Sequence, residues 1–128
     1  MINLPIFRAK KLDSDEYVIG FLLQDCFGFY IIQTDNALRC ETLNQESVEI
    51  DHQTLSISFS NMLDSQGNRI FASLSEDGKG GDIVMLDYSK KTAIWCNKTQ
   101  AIMLNSKQTG SSILSLYKDD IKIIGIQQ

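Results

Sequence analysis

The chain has 128 residues, 43% hydrophobic and 22% charged, with a formal charge of −4 from 12 Lys and Arg against 16 Asp and Glu. That length suits a single domain, and the composition is that of a folded protein, not a disordered one. The acidic balance argues against nucleic acid as the main partner, because phosphate binding depends on Lys and Arg outnumbering the acids.

The opening stretch Met1 to Arg8 lacks the basic start and apolar run of a secretory leader. No apolar run approaches the ~20 residues of a spanning helix. The expectation is a protein that stays in the cytoplasm, without a membrane partner. Three cysteines, Cys26, Cys40 and Cys96, form no Cys-x-x-Cys pair, which suits a reducing compartment. Each adjoins apolar residues and reads as a small buried hydrophobe.

In chain order, Arg8, Lys10 and Lys11 cluster beside a predicted strand, as a solvated face or, alternatively, a phosphate contact. Asp13 to Glu16 reads as a turn. Tyr17, Ile19, Phe21 and Leu23 then share one face of an extended segment, since strand side chains alternate. Gln24-Asp25 breaks it, and Phe27 to Ile32, rich in aromatic and β-branched residues, completes a hairpin. Ala37 to Leu43 fits a strand or one helical turn. Val48 to Asp51 is a short alternation. In Thr54 to Ser60, Leu55, Ile57 and Phe59 alternate with serines that should face water.

Asp64-Ser65-Gln66-Gly67-Asn68 is a turn in which Gly67 can take positive φ. Arg69-Ile70-Phe71 resumes the apolar pattern, and Ser75 to Gly81 reads as a mobile glycine-bearing loop. Ile83 to Leu86 looks like a strand buried on both faces. Ser89-Lys90-Lys91 turns the chain. Thr92 to Cys96, Ala101 to Leu104, Ile113 to Tyr117 and Ile121 to Ile126 follow as strands, with the polar stretch Asn105 to Ser112 and the turn Lys118 to Asp120 between them. Many short strands at intervals of roughly 8–12 residues predict an all-β barrel or sandwich with at most one short helix.

Several of these segments occur in the order of a known family. Phe7-Arg8-Ala9-Lys10 with Tyr17 to Leu22 looks like an opening hairpin. Asp64, Gly67, Ile70 and Phe71 fall in an Asp-x-x-Gly-x-x-Ile-aromatic pattern, Gly81-Asp82-Ile83-Val84 is a strand start, and Ile121 to Gly125 is a closing strand. In that order the chain resembles the YopX family of phage and prophage proteins. Two departures stand out: Ser60-Asn61 replaces a common Thr-Gly pair, and Ala72 to Gly80 is inserted between the Ile-aromatic pair and Gly-Asp-Ile-Val. The resemblance implies a single domain of phage or prophage origin in a bacterial cytoplasm. It further implies an SH3-like β-barrel, placed at about 61–128, with additional N-terminal strands at about 1–60. It brings no catalytic set, and its signature residues read as structural.

Candidate chemistry is sparse. Asp77 to Asp82 fails the P-loop pattern, with Ser73 where the first glycine belongs and Gly80 after the lysine. Neither it nor Asp64 to Asn68 meets the spacing of a calcium loop. The one histidine, His52, could serve a Cys such as Cys40 with Asp51, but there is no nucleophile elbow, and a surface turn explains it. Zinc spacing is missing, so no metal, cofactor or enzymatic activity is expected. Asp119-Asp120 reads as a turn. Among the aromatics, Phe71, Tyr88, Trp95 and Tyr117 lie in the expected barrel, with Tyr88 and Trp95 as interaction candidates. The functional expectation is a non-enzymatic module that binds a protein or assembles with itself, with nucleic-acid association in phage replication or regulation as the alternative.

Overall fold

The computed structural model describes residues 5–33, 47–86, 89–96, 101–106, 110–113 and 121–128. The segment Ala37 to Leu43, Tyr88, Tyr117 and the Asp119-Asp120 pair lie outside these residues. The elements are β1 (Ile6–Lys10), β2 (Tyr17–Gln24), β3 (Phe29–Gln33), β4 (Ser47–Glu49), a 3₁₀ turn (His52–Thr54), β5 (Ser56–Ser58), β6 (Ala72–Ser73), β7 (Asp82–Leu86), β8 (Ser89–Cys96), β9 (Ala101–Ser106), β10 (Gly110–Ile113) and β11 (Lys122–Ile126). The fold is all-β, a curled half-barrel sheet. Its order is β10-β9-β8-β6-β5-β1-β2-β3-β4, with β7 pairing β8 and β11 away from that path.

Four turns share one device. Asp25, Asp51, Asp64 and Asp77 each accept, through Oδ1, the backbone N–H two residues on, from Phe27, Gln53, Gln66 and Lys79 at 2.8, 3.0, 2.9 and 2.9 Å. Aspartate favours this local bond over strand pairing, so it marks where a strand ends. Part of the acidic surplus is thus turn chemistry.

The first half folds into a ring. β1 pairs β2, β2 pairs β3 and β3 pairs β4, all antiparallel. The end of β4 then returns to the end of β1 through the Lys11–Ile50 bridge, with Leu12 N donating to Glu49 O and Asp51 N to Lys10 O. The 3₁₀ turn and β5 fill the remaining edge of β1, where Lys10 N donates to Thr54 Oγ1 and Ile6 to Arg8 pairs Ser58 to Ser56. Ala9, Val18, Ile31, Ile50 and Leu55 make the core inside, with Phe7, Leu22, Phe29 and Val48 against it. The expected division put the barrel at 61–128. In the first half, Asp51 and the 3₁₀ turn bend the chain back onto β1.

The second half lies against the ring's outside. β5 pairs β6, β6 pairs β8 in parallel at Ser73 and Ile94, and β8 pairs β7 and β9. Its core is Ile70, Ala72, Val84, Ala93, Ile102, Leu104 and Ile121, with Met62, Trp95 and Ile123 packed on it.

This arrangement corrects several expectations. Ser56 and Ser58 do not face water: both are fully buried where the second half covers β5. There Ser56 Oγ donates to Arg8 O, and Arg69 donates to the Ser58 hydroxyl and carbonyl. In β2 the inward set is Val18, Gly20 and Leu22; Ile19 and Leu23 point outward, 40% and 44% exposed. Both faces of β2 are apolar, so alternation alone could not choose. β7 buries Val84 but leaves Ile83 and Met85 half-covered. β10 begins at Gly110, inside the stretch expected to be loop, and β8 begins at Ser89, which places Lys90 and a buried Lys91 in the strand.

The glycine loop after β6 is hydrogen-bonded to its surroundings. Gly80 N donates to Gln127 O, Gly81 N to Gly78 O, and Ser73 Oγ to Lys79 O. Gly80 has φ +83 and lies so close to Thr54 that a Cβ would overlap its carbonyl.

Candidate functional site

Two places in this fold invert the usual sorting of polar and apolar side chains. The first is the joint between the halves, where the signature residues gather. Asp82, at the start of β7, pairs with Arg8 of β1 at 2.8 Å, both side chains being at least nine-tenths buried. Arg8 donates also to Gly80 O at 2.9 Å, and its guanidinium stands 4.6 Å from the centre of the Phe71 ring and 5.7 Å from that of Tyr17. Asp82 Oδ2 accepts from Phe71 N while Asp82 N donates to Phe71 O, both at 2.8 Å. The inserted segment therefore leaves and returns with Phe71 and Asp82 side by side.

Burial pushes the Asp82 carboxyl above its ordinary value, against the pull of Arg8 and the Phe71 N–H. Among the described residues, Arg8 Nε is the one buried side-chain nitrogen or oxygen without a hydrogen-bond partner. The joint holds two layers together.

The other signature residues frame it. Asp64 accepts from Gln66 N and Asn68 N through Oδ1 and from Ile123 N through Oδ2, tying its turn to β11. Burial works to raise the Asp64 carboxyl, but the N–H groups of Asn68, Ile123 and Gln66 outweigh it and hold it below its ordinary value. Gly67 takes φ +85 in that turn. Ile70 and Val84 are fully buried in the second core and Ile83 is half-buried. Gly81 passes so near Ala93 O and Ser73 N that a side chain would not fit.

The basic cluster near the start is dispersed. Arg8 is consumed by the joint, Lys10 Nζ is 3.8 Å from Asp15, and Lys11 Nζ is 2.9 Å from Glu16. His52 is exposed and stacks on Phe29 with ring centres 5.0 Å apart, while Asp51 caps the same turn. Cys40, the thiol considered with them, lies outside the described residues. Among the described residues no group of three or more His, Cys, Asp or Glu is placed to hold a metal. Nor is any helix there long and apolar enough to cross a membrane. Of the aromatic interaction candidates, Trp95 is half-buried, tilted against Phe59 at 5.6 Å, and Tyr88 lies outside the described residues.

The second inversion is the β2–β3 hairpin tip, which sequence reading missed. The pattern placed Phe27 in a strand, but β3 starts at Phe29 and Phe27 sits in the turn, 84% exposed. Cys26, expected to be buried, is exposed beside it. The turn is firmly made: Asp25 Oδ1 accepts from Phe27 N at 2.8 Å and Gly28 N at 3.0 Å, and Asp25 N donates to Gly28 O at 3.1 Å. Behind it Leu23, Tyr30 and Glu49 form one row across β2, β3 and β4, with side chains on the same face. Burial and the nearby Asp25 and Glu49 charges push the Tyr30 phenol up. A signal for this turn existed. Asp25-Cys26-Phe27-Gly28 has the same Asp-x-x-Gly spacing as Asp64 to Gly67. Cys and Phe between the markers disguised it as strand.

Comparison with known protein families, curated proteins and solved structures finds no match.

Proposed function

We propose that this chain is a non-enzymatic protein-interaction module whose contact point is the β2–β3 hairpin tip. One observation carries the reading: an almost fully exposed Phe27 held on a turn with three internal hydrogen bonds. Leaving a phenyl ring in water forfeits about 2 kcal/mol of burial, so nothing in folding favours that placement. A backbone fixed in advance leaves only the torsions of the ring to be ordered on docking, which favours an aromatic anchor.

A YopX-type origin in a phage or prophage, acting in a bacterial cytoplasm, is part of the same proposal. The family joins its Ile-aromatic pair to Gly-Asp-Ile-Val almost directly. In this chain the insertion closes on itself and sets Phe71 against Asp82, which leaves that junction intact. Against the nucleic-acid alternative speaks the pairing of Arg8, Lys10 and Lys11 with Asp82, Asp15 and Glu16.

The test is affinity capture from bacterial lysate with tagged wild-type and Phe27→Ser proteins, after nuclease treatment. A protein retained by the wild type and lost by the variant supports the reading. Identical capture by both sinks the tip as contact point, and capture that disappears with nuclease favours nucleic acid.

A further inference from the structure

The charge around Phe27 narrows the partner's chemistry. Phe27 stands 84% exposed at the tip and Leu23 44% exposed on the strand behind it. Asp25 supports the turn and is itself exposed. Glu49 closes the far end of the Leu23–Tyr30 row, and a Cβ built on Gly28 would lie 3.2 Å from its carboxylate oxygen, so that carboxylate reaches back over the turn. Among the described residues, the ion pairs use Arg8, Lys10 and Lys11 with Asp82, Asp15 and Glu16, and none engages Asp25 or Glu49.

An apolar projection flanked by two uncompensated carboxylates is badly matched to three of the four surfaces it could meet. Phosphate backbones and anionic lipid headgroups would add like charge. A second copy docked tip to tip would bring its own Asp25 and Glu49 against the first pair, and like charges forced together in a drying contact repel. A protein pocket rimmed by Lys or Arg is matched in both respects.

Resting on the interaction-module reading above, we infer that the β2–β3 tip docks into an apolar pocket or cleft of a partner protein whose rim is basic, Phe27 filling the apolar part while Asp25 and Glu49 meet the rim. Asp25 thereby has two tasks, fixing the turn and reading charge. They are separable, because Asn keeps the Oδ1 acceptor and drops the charge.

The experiment is a nitrogen-15 NMR titration of the full chain with two matched amphipathic peptides. Both carry the same Leu and Trp residues; one has Lys at every polar position and the other Glu. The lysine peptide should shift the amides of Leu23, Cys26, Phe27, Gly28 and Tyr30. It should bind at least about ten-fold tighter than its glutamate twin, a gap of about 1.4 kcal/mol. The preference should shrink at an ionic strength of about 1 M, where the Debye length falls to about 3 Å. Asp25→Asn with Glu49→Gln should abolish the preference and leave the free protein's spectrum in place elsewhere.

Equal binding of the two peptides at these amides overturns the basic rim and leaves the module reading standing. Shifts confined to other parts of the chain, or none with the lysine peptide, overturn the inference too. The module reading then falls only if Phe27→Ser also leaves lysate capture unchanged.

Discussion

The joint and the hairpin tip are opposite departures from one rule. At the joint, Arg8 and Asp82 sit where two apolar side chains could pack; at the tip, Phe27 stands where a polar residue could. The joint surrounds its misplaced charges with partners: each other, the Gly80 carbonyl, the Phe71 N–H and the Phe71 ring. The tip surrounds its ring with nothing, yet spends three hydrogen bonds on holding the backbone beneath it. Compensation inside the molecule marks a feature that serves the fold. Exposure without compensation, on a fixed backbone, is what the proposed contact point requires.

That contrast is open to direct attack at the joint. Asp82→Ala leaves the Arg8 guanidinium buried without its counter-charge and should destabilise the protein by about 3–5 kcal/mol in urea unfolding. Replacing both, as Arg8→Met with Asp82→Leu, should cost far less and could raise stability, since desolvation of the pair is removed along with its attraction. A double variant as unstable as the single one would mean that the hydrogen bonds to Gly80 O and Phe71 N, not the ion pair, hold the layers.

Glycine gives the next effect. Gly80 and Gly67 have nearly the same positive φ, +83 and +85, but only Gly80 has a carbonyl, that of Thr54, in the way of a side chain. Gly67→Ala should cost about 1 kcal/mol, the ordinary penalty of a left-handed residue. Gly80→Ala should cost on the order of 3 kcal/mol, because the loop must also lift off the 3₁₀ turn. Equal costs in thermal unfolding would show that the loop yields freely.

The two buried carboxylates should respond to pH with opposite signs. Asp64 is held below its ordinary value of 3.8, so its contribution to stability is complete above that value and is lost as pH falls through the lowered folded value. Asp82 is raised above 3.8, so it favours the folded state at low pH and that advantage disappears as pH rises through the raised value. Asp64→Asn should flatten the acid limb of a stability-against-pH curve, whereas Asp82→Asn should lift the curve above the raised value relative to the acid end. Parallel shifts in both variants would contradict the assigned environments.

How much of this was legible depends on where each cause lies. Period-two alternation and aspartate or glycine turn markers located most strands, since those causes are local to a few residues. The burial of Ser56, Ser58 and Arg8 was illegible because the cover comes from far along the chain; Arg8 and Gly80 are 72 residues apart. The joint's own members, Phe71, Gly81 and Asp82, were visible as a pattern, but nothing in the pattern said they meet Arg8. Phe27 was lost for a different reason: its turn marker was present, and the apolar residues between Asp25 and Gly28 outweighed it.

The smallest stability effect is the most informative about function. Phe27→Ser removes a ring that touches water over 84% of its surface, so it forfeits almost no burial. The turn beneath it is made by Asp25 and the backbone N–H groups of Phe27 and Gly28, which serine retains. Thermal and urea unfolding should therefore agree with the wild type within about 0.5 kcal/mol, the usual range for surface changes. A loss of 2 kcal/mol or more would mean that the ring is a packing residue and the tip a part of the fold. Unchanged stability with lost capture separates the tip from the joint, where Asp82→Ala is expected to lose stability instead.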